Sequence, residues 1–219
     1  FFSSRRRHTR WACDWSSDCA LPICTLLLSD LGARVIKVEI PESGDDARQI
    51  GPFIKQKSAY FMSLNRGKES IALNLKSDSD RQIFHQLLSR ADVLVENFRS
   101  GTMDKLNLGW DILHERYPGL IYAATSGFGH SGPYQSKPAY DLVVQAMGGI
   151  MSLTGQEGGP PTRVGTSIGD LGAGLFTAVG ICSALYHRSQ TGEALKIDVG
   201  MLDCQVALLE NAIARYLAT

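Results

Sequence analysis

The sequence has no excess of charge of either sign. Lys and Arg together number 22, the same as Asp and Glu, so the formal net charge at neutral pH is zero. Proteins that bind nucleic acid or an anionic membrane through charge carry a basic excess or a basic tract. We therefore expect no nucleic-acid partner and no membrane partner.

The sequence also shows no internal repeat, no low-complexity tract and no apolar run that we expect to be long enough to cross a bilayer. Hydrophobic residues make up 44% of the chain and charged residues 20%, which is ordinary for a protein with a packed core. With 219 residues, the chain can form one globular domain or part of a larger one.

Cysteine is scarce and scattered. The five cysteines lie at positions 13, 19, 24, 182 and 204, without the close pairs that bind zinc, and their odd number argues against a disulfide framework. Idle thiols in a reducing compartment explain this pattern best. We therefore expect a cytoplasmic protein without a metal site.

The first 19 residues differ in character from the rest of the chain. Arginines at positions 5, 6, 7 and 10 precede an apolar stretch at 20–28, the order seen in signal peptides, including twin-arginine ones. Tryptophans and aspartates interrupt the join, no small-residue cleavage site follows, and four arginines are weak support for a nucleic-acid-binding arm. Because the string SSRRRHTRW…DWSSD resembles translated sequencing-adapter read-through, we predict that residues 1–19 are a non-native segment.

From residue 20 onward, strand patterns alternate with helix patterns. We predict strands at 34–39, 70–75, 93–95, 119–124 and 196–199. We predict a helix ending at Leu31 with Gly32 as its C-cap, and further helices at 77–89, 139–147, 172–187 and 202–217. This alternation is typical of βαβ units, so the predicted fold is α/β, with an open, mainly parallel sheet and flanking helices.

Two features suggest nucleotide binding, but each lacks a second sequence motif that such binding requires. Glu39 ends a strand, where an acidic residue can hold a ribose hydroxyl, but no G-x-G-x-x-G turn precedes it, so a structural role is favoured. The Gly/Ser-rich loop at 126–134 lacks the Lys-Ser/Thr ending of a P-loop. We assign His130 in that loop to solvated loop polarity. Polar residues at 96–101 follow a buried strand, at the sheet edge where ligands bind in open α/β folds.

Asp170 is surrounded by glycines at the point where a long helix is predicted to begin. Small neighbours let a ligand approach the backbone, and the helix start favours an ionised carboxylate, which acyl transfer needs in a nucleophile. The alternative is that Asp170 is an N-cap and that the glycines serve helix packing. The local sequence by itself favours the alternative.

Eight segments in chain order resemble the family III CoA-transferases, the group that contains formyl-CoA and carnitine CoA-transferases. The segments are residues 31–39, 43–48, 64–76, 91–111, 120–134, 138–155, 159–174 and 192–210. The resemblance covers almost everything after Ala20 and implies that residues 20–219 are the N-terminal part of a Rossmann-like large domain. It also implies a chain truncated at both ends, lacking a CoA-contacting loop, a later glycine-rich loop and the smaller second domain.

The resemblance implies that Asp170 is the catalytic nucleophile and forms an aspartyl-CoA thioester. Tyr140 and Asp141 are then expected near the thioester, where Tyr140 could donate a hydrogen bond to the developing oxyanion. The implied substrates are an acyl-CoA and a small carboxylic acid, and no metal or permanently bound cofactor is required.

The resemblance also implies a set of CoA-binding positions. The lysines would offer charge to the nucleotide phosphates and Phe98 an apolar surface, although each lysine alone is more typical of a solvated surface. The positions are Leu73, Lys76, Asn97, Phe98, Lys105, Lys137 and Tyr140.

Three interpretations follow from the resemblance. The related acyl-CoA racemases carry a histidine in place of Tyr140, because moving an α-proton needs a base with a pKa near neutrality, so CoA transfer is favoured over racemisation. A non-catalytic CoA-binding fragment is the third interpretation, and an inactive fragment is expected. Full-length members form interlocked homodimers. The sequence favours no particular acyl donor or acceptor.

Overall fold

The computed structural model describes residues 10–13, by their backbone, and residues 20–219. The strands are β1 (Arg10–Cys13), β2 (Arg34–Glu39), β3 (Phe53–Ile54), β4 (Lys57–Ser58), β5 (Glu69–Ala72), β6 (Val93–Glu96), β7 (Ile121–Ser126) and β8 (Lys196–Gly200). The helices are α1 (Ala20–Asp30), α2 (Ala59–Asn65), α3 (Asp78–Leu88), α4 (Thr102–Lys105), α5 (Trp110–Arg116), α6 (Asp141–Met147), α7 (Ile150–Leu153), α8 (Ile168–Thr191), α9 (Met201–Leu208) and α10 (Asn211–Ala218).

Six strands form one sheet in the order β5-β2-β1-β6-β7-β8, and every described pair in it is parallel. The short β3–β4 hairpin, which stands apart from the sheet, is the one antiparallel pair in the described part of the chain. The predicted α/β fold with an open, mainly parallel sheet and flanking helices is confirmed.

β1 lies in the segment that we predicted to be non-native. It pairs with β2 on one side, with Ala12 opposite Ile36, and with β6 on the other, with Ala12 opposite Leu94. It therefore occupies a central place in the sheet, although the boundary after residue 19 stays a prediction.

The sheet lies between the two larger of three hydrophobic clusters among the described residues. The period-2 alternation of strand side chains decides which residue enters which of these two cores. Val93 and Val95 of β6 point to the core under α1 and α8, together with Leu21 and Ile181. Leu94, between them, points to the opposite core with residues of α3 and α5. Helices therefore cover both faces, as a parallel sheet requires.

α8 is long and apolar enough to cross a membrane by length and composition, the one such helix among the residues that the structure describes. The expectation that no apolar run would pass this test was therefore wrong. Half of the most apolar window of α8 is buried in the fold. Ala178, Ile181 and Ala184 pack in the core there, so the core position of α8 accounts for its composition.

Several element boundaries differ from the prediction. The last predicted helix, 202–217, is two helices, because the chain turns at Glu210, which has a φ of 44°. α9 buries Met201, Cys204 and Gln205, whereas α10 buries no residue, so packing fixes only the first of the two. α8 begins at Ile168 rather than at residue 172. Gly32, with a φ of 96°, follows α1 as predicted.

The winding of the chain reverses in the middle of the sheet. β2 lies on one side of β1 and β6 on the other, so a topological switch point lies between β1 and β6. Loops that follow the carboxyl ends of neighbouring parallel strands separate at such a point and leave a crevice there. The fold therefore places a binding crevice next to residues 97–99, directly after β6.

Candidate active site

A narrow cleft lies at the carboxyl edge of the sheet, beside the switch point. Its volume is about 100 Å³, and it is lined by the residues that follow β6 and β7, by the start of α1 and by Met201 after β8. Four predicted site residues line it: Asn97, Phe98, Lys137 and Tyr140. The Tyr140 side chain is 64% exposed, so a ligand in the cleft can reach its hydroxyl.

A second cavity of about 610 Å³ adjoins the same turn. It is mostly apolar in lining, with Ile40, Leu75 and Leu106 among its walls, and it contains the predicted residues Lys76 and Lys105. Phe98 lines both this cavity and the cleft. The two cavities therefore share a wall, and together they bring six predicted residues to one edge of the sheet.

Leu73 is the predicted CoA-binding residue that these cavities do not include. Its side chain is buried in the core with Val38 and Leu94, and its backbone N–H donates to the Glu39 carbonyl oxygen at 2.9 Å. The structure therefore places the Leu73 side chain in the packing of the sheet and not in a cavity wall.

Asp170 lies in the first turn of α8 and is 5% exposed. Ser167, not Asp170, is the N-cap residue of this helix. The alternative interpretation of Asp170 as an N-cap is therefore wrong. A carboxylate in the first turn is stabilised by the positive end of the helix dipole.

A hydrogen bond joins the chain neighbours of the two predicted catalytic residues, Asp170 and Tyr140. The Gly169 N–H, one residue before Asp170, donates to Asp141 Oδ1 at 2.7 Å, and Asp141 directly follows Tyr140. The start of α8 is thereby held against the start of α6. Asp141 therefore binds the backbone of the residue before Asp170, and its position near a thioester stays a prediction.

Two buried glutamines, neither of them predicted from the sequence, hold the same turn. Gln145 Nε2 donates to Asp141 Oδ2 at 2.7 Å, and Gln145 Oε1 accepts from the Val164 N–H at 2.8 Å. Gln205 Nε2, on α9, donates to the Ile168 carbonyl oxygen at 3.3 Å. A polar residue four positions after Asp141 in an otherwise apolar helix is a signal that could have found Gln145.

The glycines on either side of Asp170 serve packing rather than ligand approach. A Cβ on Gly169 would lie 2.6 Å from Val144 Cγ2, and one on Gly174 would lie 2.9 Å from the Ala20 carbonyl oxygen. Both distances are too short for a real side chain. The expectation that these glycines open the backbone to a ligand was therefore wrong for these two positions, and the glycines allow α6 and α1 to approach α8.

Glu39 has a structural role. Its carboxylate accepts hydrogen bonds from Arg48 at 2.7 Å, from Ser70 at 2.6 Å and from the Asp45 N–H at 2.9 Å. Burial acts to raise the pKa of Glu39, but these hydrogen bonds outweigh it and lower the pKa to about 2. An ion pair between the buried side chains of Lys37 and Asp45, at 2.6 Å, lies in the same region.

The prediction that His130 is merely a solvated polar residue of its loop was wrong. Its side chain is 14% exposed, with Nε2 at 3.7 Å from Glu96 Oε1. Its backbone N–H donates to the carboxylate oxygens of Asp198 at 2.9 and 3.1 Å. Asp198 lies on β8 and Glu96 ends β6, so these contacts depend on the order of strands in the sheet, which the local sequence around His130 does not encode.

Comparison with known proteins supplies the assignment that the local sequence leaves open. The family model of CoA-transferase family III matches residues 12–219. The chain belongs to CoA-transferase family III. An acetyl-CoA:oxalate CoA-transferase from Acetobacter aceti is 53% identical over 199 residues, which are 90% of this chain and 51% of that protein.

Other members of the family agree with this assignment. A succinyl-CoA:mesaconate CoA-transferase from Haloarcula marismortui is 46% identical over 212 residues, 93% of this chain and 53% of that protein. The solved structure of a CAIB/BAIF family protein from Brucella suis superimposes with a TM-score of 0.91 at 39% identity, covering 96% of this chain and 57% of that one. The chain spans about half the length of the curated relatives it matches.

Proposed function

We propose that this chain supplies the CoA-binding and nucleophile-bearing half of an enzyme that transfers CoA between an acyl-CoA and a small carboxylic acid. The observation that carries the proposal is the hydrogen bond between Gly169 N and Asp141 Oδ1. It holds the residue before Asp170 against the residue after Tyr140, and Tyr140 lines the cleft. Membership of the family supports the same reaction class.

In the proposed mechanism, the Asp170 carboxylate attacks the acyl-CoA carbonyl, the C–S bond breaks, and a mixed anhydride and CoA thiolate form. The thiolate attacks the aspartyl carbonyl, which releases the donor acid as its carboxylate and leaves an aspartyl-CoA thioester. The acceptor carboxylate then attacks this thioester, giving a second anhydride and thiolate. Attack of the thiolate on the acceptor acyl carbonyl forms the new acyl-CoA and restores Asp170.

The surroundings of Asp170 suit these steps. Asp170 lies in the first turn of α8, at the positive end of the helix dipole, which stabilises its carboxylate between turnovers. Tyr140 lines the cleft, and its hydroxyl can donate to the oxyanion of a tetrahedral intermediate. Lys76 and Lys105, in the larger cavity, offer charge to the phosphates of CoA, and Phe98 offers an apolar face.

The proposal extends to the setting of the enzyme. We propose that the full-length enzyme is a cytoplasmic homodimer that needs no metal or permanently bound cofactor. Among the residues that the structure describes, no cluster of metal-binding side chains occurs, and Cys182 and Cys204 are free thiols. Size-exclusion chromatography with light scattering, before and after dialysis against a chelator, tests the dimer and the metal independence together.

Trapping of the intermediate tests the mechanism. A chimaera joins this chain to the remaining half of the Acetobacter aceti relative and is incubated with acetyl-CoA plus oxalate, succinyl-CoA plus mesaconate, and other donors. After quenching with hydroxylamine or borohydride, we expect peptide mass spectrometry to find the modification on Asp170. Asp170→Ala should abolish both adduct and turnover, whereas Asp46→Ala, an exposed carboxylate outside both cavities, should change neither.

An active chimaera that forms no adduct on Asp170 would contradict the proposed mechanism. Exchange of the α-proton of an acyl-CoA with deuterium from solvent would then identify the racemase alternative. A chimaera that binds CoA but shows neither reaction would support the non-catalytic alternative.

A further inference from the structure

A third cavity, of about 200 Å³, adjoins the cleft on the other side of Arg99, which lines both. Its lining is mainly polar and includes Glu96, Tyr122 and His130. None of these side chains has a role in the proposed chemistry. This buried polar cluster lies next to the turn at 97–99.

Glu96 ties that turn to the sheet. The residue is 3% exposed, and its Oε2 accepts a hydrogen bond from the Phe98 N–H at 2.7 Å. Its Oε1 accepts from the Tyr122 hydroxyl at 3.0 Å. The carboxylate therefore links the backbone of Phe98 to a fixed side chain of β7. A hydrogen bond to an ionised carboxylate is about twice as strong as one to a neutral acceptor.

Phe98 is the residue through which this link reaches the ligand cavities. It lines both the cleft and the larger cavity. Asn97 and Arg99, on either side of it, line the cleft. A change in the position of the Phe98 backbone would therefore alter both cavities at once, while a side chain elsewhere on their walls would alter only one.

We propose that Glu96 is a positioning residue for acyl-CoA binding, and that its ionised carboxylate holds residues 97–99 in the conformation that lines the two ligand cavities. The inference rests on the proposed function, since it assumes that CoA occupies these cavities. Glu96 acts through Phe98 and does not itself contact the ligand.

The ionisation of Glu96 falls in the physiological range. Burial raises the pKa of Glu96 to about 7, against the opposing hydrogen bonds from Phe98 and Tyr122. Burial lowers the pKa of the neighbouring His130. The other charged or titratable groups around this cavity are Arg99, Asp104, Asp111, Lys196 and Asp198.

The sign of the pH effect follows from these contacts. Above about pH 7 the carboxylate is ionised and accepts both hydrogen bonds with full strength. Below that pH one oxygen carries a proton and becomes a donor, so the hold on residues 97–99 weakens. Binding of CoA should therefore gain strength from Glu96 above pH 7 and lose that contribution below it.

Titration calorimetry with CoA and the 219-residue chain, between pH 6 and pH 8.5, tests the inference. The decisive quantity is the Kd of Glu96→Gln divided by the Kd of the unsubstituted chain, because titration of the CoA phosphates cancels in this ratio. We expect a ratio near one at pH 6 and about tenfold at pH 8, the size of one charge-assisted hydrogen bond. The matched control Glu69→Gln, on an exposed ion pair with Arg34, should give a ratio near one throughout.

A ratio that is the same at every pH would overturn the inference, since Glu96 would then act by its shape alone. If Glu96→Gln loses its circular dichroism spectrum, Tyr122→Phe replaces it as the test. Loss of the Tyr122 hydroxyl removes a donor to the carboxylate, so the pH dependence of the Kd should move to higher pH, and an unmoved profile would overturn the inference. Absence of CoA binding by the unsubstituted chain would instead overturn the proposed function, and this inference with it.

Discussion

The Glu39 carboxylate, at the end of β2, accepts hydrogen bonds from Arg48, Ser70 and the Asp45 amide. Ser70 lies on the neighbouring strand β5, and Arg48 and Asp45 lie in the segment between the two strands. A single side chain therefore joins two strands and the loop that connects them. Glu39 is itself buried, and these donors satisfy its carboxylate, since a buried polar group without a partner is costly.

The lowered pKa of Glu39 predicts how the free energy of unfolding depends on pH. The ionised form is favoured in the folded state, where the pKa is about 2, so the stabilisation is present above the unfolded-state pKa and is lost as the pH falls toward 2. Glu39→Gln should lower the free energy of unfolding by about 2 kcal/mol at pH 7, a value reduced for the partly exposed Arg48. Urea denaturation at several pH values measures this difference.

The difference between Glu39→Gln and the unsubstituted chain should shrink as the pH falls below about 4.5, the ordinary value for a glutamate. Glu69→Gln is the matched control. Because Glu69 and Arg34 are both about half exposed, this control should cost less than about 1 kcal/mol at any pH. A pH-independent loss for Glu39→Gln would contradict the prediction.

At the scale of elements, three helices meet around the start of α8. α6 contributes Asp141 and Gln145, α9 contributes Gln205, and all three side chains bind backbone groups of residues 164–169. The turn that precedes Asp170 is thus held by side chains from outside it. Such support fixes a catalytic group more tightly than the turn could by itself.

Gln145→Leu should show how much of the activity depends on this support. The variant leaves the Val164 N–H and one Asp141 oxygen without their present partner, at a cost of about 1–3 kcal/mol in stability. In the chimaera we expect kcat to fall about tenfold or more, because Asp170 is displaced, with little change in the KM for acyl-CoA. Steady-state kinetics and thermal unfolding measure the two effects.

Gln190→Leu, on the exposed face near the end of α8, is the control for a change of glutamine to leucine on these helices, and it should leave both quantities unchanged. A rise in KM with an unchanged kcat for Gln145→Leu would show that the turn serves ligand binding and not the position of the nucleophile.

At the scale of the whole molecule, the order of strands brings distant segments of the chain to one edge. Lys76 follows β5 and Lys105 ends α4, yet both line the larger cavity beside Phe98. The switch point between β1 and β6 opens the crevice, and the loops after the strands supply its walls. The cavity therefore depends on the complete sheet.

Replacing both lysines should weaken CoA binding without unfolding the chain. Both side chains are exposed, so Lys76→Ala combined with Lys105→Ala should leave the melting temperature of the free chain unchanged. The stabilisation by saturating CoA should fall, with a Kd raised about tenfold or more, through loss of contacts to phosphate. Thermal shift over a series of CoA concentrations gives both values.

The matched control is Lys55→Ala combined with Lys57→Ala, on the β3–β4 hairpin and outside both cavities. It removes the same charge and should leave the thermal shift by CoA intact. An equal loss in both double variants would indicate a general effect of charge and would contradict specific phosphate contacts.

The sequence by itself indicated the fold class, the positions of the main strands along the chain and the family. Alternation of hydrophobic residues is a local signal, so β2, β6, β7 and α3 were found close to their observed bounds. The short helices α4 and α7, with four residues each, and the hairpin were missed. Segments this short contain too few residues to show a periodic pattern. The eight segments of family resemblance carried the prediction of Asp170, which the local sequence alone did not favour.

Only the tertiary structure decided which side chains meet. The contact of His130 with Glu96, the binding of the α8 turn by Gln145 and Gln205, and the packing role of Gly169 join residues far apart in the chain. Each depends on the order of strands and on the close approach of helices, which arise when the whole core packs. Residue type and local spacing suggest what a side chain can do, whereas its partners, and hence its pKa and its role, are set by the folded chain.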